Sequence, residues 1–208
     1  MQIGVFWADS WIIKSCRDRV NRRNLTIVSL TEICCNEVLL TKYLLANETD
    51  PKRRAYILNH FLEGFRTTVF RQTLFAEFEQ KTHELEASGT PLTAECMCSL
   101  YADLVKQYYP AAEFRDVVKY EWAFIPHFYR AFYVYQYATG FSSAVAIASN
   151  ILETGDPSKY LEFLATGGSD YPINELKIAG IDLTSPEVVK NAMKVFDETI
   201  DELAELLG

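Results

Sequence analysis

Apolar residues recur every three or four positions along most of this 208-residue chain, the period of a helix that buries one face. Leu58, Phe61, Leu62, Phe65 and Val69 form one stripe, and Phe70, Leu74 and Phe78 continue it on an adjacent face. Near the C-terminus Val188, Ala192, Val195, Ile200, Leu203 and Leu207 repeat the pattern, leaving Glu198, Asp201, Glu202 and Glu205 for solvent. Asp50-Pro51, Asp156-Pro157 and Ser185-Pro186 each put a capping side chain before a proline at the first helical position. Gly89, Gly155 and Gly180 stand where helices should stop. No alternating strand run or hairpin signal competes, so the predicted class is all-α. Helices are predicted near 32–48, 51–87, 92–109, 126–154, 157–166 and 186–207, with a short helical turn near 172–179.

Ala131 to Leu152 carries no charged residue, and about 20 apolar residues suffice to span a bilayer. Gln136, Thr139, Gly140, Ser142, Ser143, Ser149 and Asn150 interrupt it, so a buried helix packed on all sides is expected instead of a membrane span.

Composition narrows the class. The chain is 49% apolar and 23% charged with 9 Gly and 7 Pro, which excludes collagen-like, low-complexity and disordered chains. A formal charge of −8 argues against nucleic-acid binding, which needs clustered Lys and Arg. The charge is unevenly placed. Residues 1–35 hold five basic groups (Lys14, Arg17, Arg19, Arg22, Arg23) against Asp9, Asp18 and Glu32, a balance of +2 that leaves −10 for the rest. Cys16, Cys34, Cys35, Cys96 and Cys98 have no disulfide-framework spacing and read as reduced cytoplasmic thiols. Cys96-Met97-Cys98 lacks the spacing and the second pair that a zinc site favours. The start, Met1 to Trp7 followed by Asp9, lacks a basic n-region and does not read as a signal peptide.

Several long motifs are recognisable in order. They are Phe61-Leu62-Glu63-Gly64-Phe65-Arg66-Thr67-Thr68-Val69-Phe70-Arg71-Gln72, Ile125-Pro126-His127-Phe128-Tyr129 and Phe132-Tyr133-Val134-Tyr135-Gln136-Tyr137-Ala138-Thr139-Gly140. Phe163-Leu164, Gly167-Gly168-Ser169-Asp170-Tyr171-Pro172 and Ala179-Gly180-Ile181-Asp182 complete the set. From Asn36 to the C-terminus the chain resembles the C-terminal part of oligoendopeptidase F, in the thimet-oligopeptidase family of zinc metallopeptidases. Residues 1–35 form an atypical segment that matches no part of the family; a changed reading frame or start codon is the expected cause, testable in the DNA upstream of Met1. The resemblance implies a multi-helix portion of a zincin-type fold at 36–208 and a parent activity of cytoplasmic hydrolysis of short peptides.

Such enzymes carry His-Glu-x-x-His on a helix, two histidines one turn apart on zinc and a glutamate acting on a metal-bound water. This chain has only His60, His83 and His127, no two of them four residues apart. The family's third ligand, a glutamate six positions before the asparagine matching Asn36, is replaced by Leu30, with Glu32 the nearest acid. No metal ligand is therefore assigned; zinc belongs to the parent family and is not expected to bind this chain alone. The resemblance places His127, Tyr129, Tyr133, Tyr135 and Tyr137 where the family stabilises the transition state or binds substrate. On a regular helix Tyr129, Tyr133 and Tyr137 share a face and Tyr135 points elsewhere. Each also has a plainer reading, His127 as a satisfied helix-terminal imidazole and each tyrosine as a packed ring with a bonded hydroxyl. Among the rest, His60 reads as structural, His83 as lying on a solvated face, and Arg66 and Arg71 as buried ion pairs or a channel lining.

Two functional expectations follow. One is a C-terminal portion of a zinc-dependent metalloendopeptidase, inactive alone. The other is a non-enzymatic peptide-binding helical module, or half of a split peptidase. Expected partners are short peptides, a separate N-terminal catalytic half, or a second copy meeting through exposed apolar faces. Neither nucleic acid nor membrane is expected as a partner.

Overall fold

Three predicted caps set the helix starts. The carboxylates of Asp50 and Asp156 accept from Lys52 N (3.0 Å) and Ser158 N (2.9 Å), and the Ser185 hydroxyl from Glu187 N (3.3 Å). Each satisfies a backbone donor that the first helical turn leaves open. The structure, a computed structural model, describes residues 25–208, and every described element is helical. In chain order these are α1 (Leu25–Asn47), α2 (Pro51–Phe65), a π-helical turn (Arg66–Phe70), α3 (Arg71–Ala87) and α4 (Ala94–Tyr108). Two 3₁₀ segments follow, Asp116–Phe124 and Pro126–Tyr129, then α5 (Tyr135–Thr154), α6 (Ser158–Thr166), α7 (Pro172–Ile178) and α8 (Glu187–Leu207). Cys16, the basic cluster at 14–23 and the Met1–Trp7 start lie outside the described residues, as does the atypical segment up to residue 24.

Three predicted helices need correction, and one element is new. The helix expected from 32 begins at Leu25, because the Thr31 hydroxyl bonds the Ile27 carbonyl inside the helix (2.7 Å) and caps nothing. The helix expected at 51–87 is interrupted by the π turn. Buried positions step by four from Phe61 to Phe65 to Val69, then by five to Leu74, and a wide turn absorbs the additional residue. The helix expected at 126–154 begins only at Tyr135. Upstream the backbone leaves the helix at Phe132, whose φ is +54° and whose N–H donates to the Glu79 carboxylate at 2.6 Å. The 3₁₀ segment at Asp116–Phe124 was not predicted at all.

The described residues fall into two units, 25–61 with 139–208, and Leu62–Ala138. In the first, α1 and α5 meet at Gly140, where an added Cβ would stand 3.3 Å from Leu30 Cβ and 3.4 Å from the Ile27 carbonyl oxygen. Thr31 Oγ1 donates to the Gly140 carbonyl across this approach (3.3 Å). The stretch flagged for membrane length is buried here through Phe141, Ser142, Ser143, Ala144, Val145, Ile147 and Ala148. No described helix is long and apolar enough to cross a membrane. Arg54 joins α2 to α8 by donating to Glu202.

The second unit is built around aromatic rings. Leu74, Phe75 and Phe78 of α3 pack with Tyr101 and Leu104 of α4 and with Val134. Phe78 meets Tyr101 edge-on at 5.2 Å and Phe128 at 5.4 Å, separations favoured by aromatic quadrupoles. Glu121 closes one side, accepting from the Tyr101 hydroxyl (2.6 Å) and from Arg71, whose guanidinium also lies 4.8 Å over the Phe75 ring. Burial, and then the bond to Glu121, push the Tyr101 phenol well above its ordinary range. Removing one partner of such a pair strands the other. Glu121→Ala is expected to destabilise the protein by about 2 kcal/mol, a value reduced for the partial exposure of the pair. A double-mutant cycle with Tyr101→Phe in urea is the check, and coupling near zero would remove the bond from the account.

Candidate active-site cluster

The break before α5 decides where the tyrosines go. Because Pro126–Tyr129 is a separate 3₁₀ turn and Phe132 has left-handed backbone, Tyr129, Tyr133 and Tyr137 do not share one helical face. Tyr129 is 90% exposed and joins no cluster. Tyr135 instead lines an open cleft of about 610 Å³ with Tyr108, Phe132 and Glu77. That corrects the expectation of a shared face for Tyr129.

His127, Tyr133 and Tyr137 do come together. The His127 and Tyr133 rings stack at 5.6 Å with 11° between planes, and Tyr137 stands edge-on to both, at 5.8 Å and 5.5 Å. The Tyr137 hydroxyl lies 3.4 Å from His127 Nε2 and 3.3 Å from the Tyr133 hydroxyl. These distances are long for hydrogen bonds. The Arg130 guanidinium covers the Tyr133 ring at 4.7 Å, a cation–π contact. Burial, then the Tyr133 hydroxyl, push Tyr137 up to about 12 against the opposing pull of Arg130. At neutral pH Tyr137 therefore keeps its proton. Its O–H is thus available for donation.

Phe132 carries local strain. A bulky side chain at positive φ costs about 1–3 kcal/mol and persists only where its surroundings enforce it. Phe132 is the one non-glycine residue with positive φ among the described residues. Its ring lies against exposed His83 (4.8 Å, tilted by 31°) and its N–H is held by Glu79, which is 4% exposed. His83 thus lies on the solvated face predicted for it, and His60 is exposed on α2. Arg66 is half exposed and bound to Glu63, so the buried ion pair expected of it is replaced by a surface one. Glu79 and Arg130 were not singled out in the sequence. A signal existed for Glu79, which with Thr82 occupies a polar position on the buried stripe of α3.

A second polar cluster lies in the unit of residues 25–61 and 139–208. Glu175 of α7 is 1% exposed; one of its oxygens accepts from Asp170 N (3.2 Å) and the other has no partner. Burial, and then the carboxylate of Glu175, push Glu32 up to about 7. Beside it the Tyr160 hydroxyl reaches the Glu32 carbonyl and Asn36 Oδ1, at 3.2 and 3.3 Å. Burial pushes the Cys34 and Cys35 thiols to about 12, so neither supplies a thiolate. The sign of the Glu32 effect follows from linkage. Below about pH 4.5 folded and unfolded chains both hold its proton and folding carries no penalty. Between there and about 7 the unfolded chain ionises first, so stability falls as pH rises. Glu32→Gln is expected to remove about 2 kcal/mol of the loss between pH 5 and pH 8 in urea titrations, and equal slopes for the two proteins would refute it.

The donor groups of the described residues do not fit zinc. A zinc site needs three protein ligands converging within about 2.3 Å of one point. No group of three His, Cys, Asp or Glu among the described residues could hold a metal ion. His127 is engaged with two phenols and His83 with Phe132.

The described frame is all-helical and presents a histidine beside two tyrosine hydroxyls. The model of peptidase family M3 matches residues 29–195, and the chain belongs to that family. It is 53% identical over 175 residues to oligopeptidase PepF of Bacillus subtilis, covering 83% of this chain and 26% of that protein. An oligoendopeptidase F homolog of Lactococcus lactis is 46% identical, with 83% of this chain and 29% of the relative covered. The crystal structure of oligoendopeptidase-F from Enterococcus faecium superposes with a TM-score of 0.84 at 45% identity, over 88% of this chain and 36% of the other. The chain thus spans about a quarter to a third of the length of these relatives.

Proposed function

We propose that this chain supplies the substrate-facing, oxyanion-stabilising part of a peptide-hydrolysing site and not the metal-binding part. The convergence of His127 Nε2 and the Tyr133 hydroxyl on the Tyr137 hydroxyl is the observation that carries the reading. Tyr137, protonated at neutral pH, offers an O–H to the oxygen that becomes anionic when a peptide carbonyl is attacked. His127 and Tyr133 hold that phenol and add further donors to the same oxygen. By similarity to the oligopeptidases the substrate is a short peptide, and the site of action is the cytoplasm, where the thiols stay reduced.

On this reading the chain alone is inactive, and hydrolysis requires a polypeptide equivalent to the preceding portion of the relatives. Ile33, Leu40, Tyr43 and Leu44 support that partner. They lie along one side of α1, 43–57% exposed, and form an apolar row for which water is a poor neighbour. The test is cleavage of a quenched fluorescent peptide with zinc present, by the chain alone and after mixing with the N-terminal portion of the Bacillus subtilis relative. Cleavage only in the mixture, with a one-to-one complex by light scattering, is expected. Chelator-sensitive cleavage by the chain alone would overturn the claim of inactivity, and a homodimer that refuses the added polypeptide would overturn the partner.

A further inference from the structure

We infer that Glu79 is a positioning residue for the His127–Tyr133–Tyr137 cluster, holding the Phe132 peptide in the left-handed turn that lays the Tyr133 ring on the His127 imidazole. The functional meaning of this device rests on the reading of that cluster as the donor set, while its geometry can be tested without peptide or metal. Residues 130–134 contain no glycine or proline, so nothing in the local sequence asks the backbone to leave the helix here. The turn is imposed from outside. Glu79, on α3 and 4% exposed, accepts from Phe132 N at 2.6 Å, a short charge-assisted bond that takes the place of a helical partner.

The consequence falls on the next two residues. Val134 is fully buried against Leu74, Phe75 and Phe78, which fixes the chain on one side of Tyr133, and the Glu79 bond fixes it on the other. Tyr133 is pinned between them with its ring 11° from parallel to His127 and 5.6 Å away. A continuous helix through 129–137 would deny Tyr133 this position, since the turn at Phe132 is what separates it from the regular course of α5. Glu79 touches neither His127 nor the tyrosine hydroxyls, so its action is entirely through the backbone of Phe132.

The experiment uses the full chain with ¹³C-labelled histidine. Three histidines make the ring signals assignable, and stacked Tyr133 moves the His127 ring protons upfield. Glu79→Ala is expected to abolish that upfield displacement while near-ultraviolet dichroism stays native. Glu79→Gln, which keeps an acceptor oxygen, is expected to retain it. Phe132→Gly in the Glu79→Ala background is expected to restore it, because glycine adopts positive φ without help. An unchanged His127 signal in folded Glu79→Ala would overturn the inference. So would equal loss in Glu79→Gln, or failure of the double variant to recover. If Glu79→Ala does not fold, the double variant decides: recovery of both fold and signal supports the backbone role, and a fold without the signal refutes it.

Discussion

Phe78→Ala is expected to destabilise the Leu62–Ala138 unit by about 3–5 kcal/mol, the range for emptying a buried aromatic site. Phe78 is 1% exposed, and Tyr101, Trp122 and Phe128 are its ring neighbours at 5.2, 6.4 and 5.4 Å. Three rigid rings collapse poorly into the space a benzyl group leaves, which puts the expected loss at the upper part of the range. Phe78→Leu keeps most of the volume and should cost about 1–2 kcal/mol. Urea unfolding followed by near-ultraviolet dichroism separates the two. A loss below about 1 kcal/mol for alanine would mean that the cluster repacks, and the account of a rigid aromatic core would fail.

His127→Ala should lower turnover of the reconstituted assembly about 100–1,000-fold with little change in KM, the size of effect seen when a preorganised oxyanion donor is removed. Tyr137→Phe should act in the same direction, because it deletes the hydroxyl on which His127 Nε2 and Tyr133 converge. Tyr129→Phe is the internal control. Its hydroxyl belongs to a ring 90% exposed and outside the cluster, so turnover should not move. If all three variants fall together, the effect is one of folding. If KM rises while turnover holds, the cluster binds substrate and does not stabilise the transition state.

Much of the helical frame was legible because capping and periodicity are local. Asp50, Asp156 and Ser185 announced three helix starts, and each makes the expected bond. The step from one apolar stripe to the next between Val69 and Leu74 was visible as a change of face, and it is the trace of the π turn. The site was harder. Family likeness named His127, Tyr129, Tyr133, Tyr135 and Tyr137 together, and the structure brings His127, Tyr133 and Tyr137 into ring contact. The choice among them depends on Phe132, whose backbone is set by a carboxylate 53 residues away in sequence. A contact of that separation leaves no periodic signature. Nor does the 3₁₀ run at Asp116–Phe124, where single-turn geometry repeats every three residues and mixes polar with aromatic positions.

Glu32, buried beside the Glu175 carboxylate, makes folding a proton-consuming reaction near neutrality. At pH 6 an unfolded chain releases the Glu32 proton and a folded one retains it. Each refolding molecule therefore draws a proton from its buffer, and the measured heat of refolding should contain the ionisation heat of that buffer. Calorimetry in phosphate and in a strongly endothermic amine buffer should then give different enthalpies at the same pH. The difference counts the protons taken up, and it should shrink once Glu32 is glutamine.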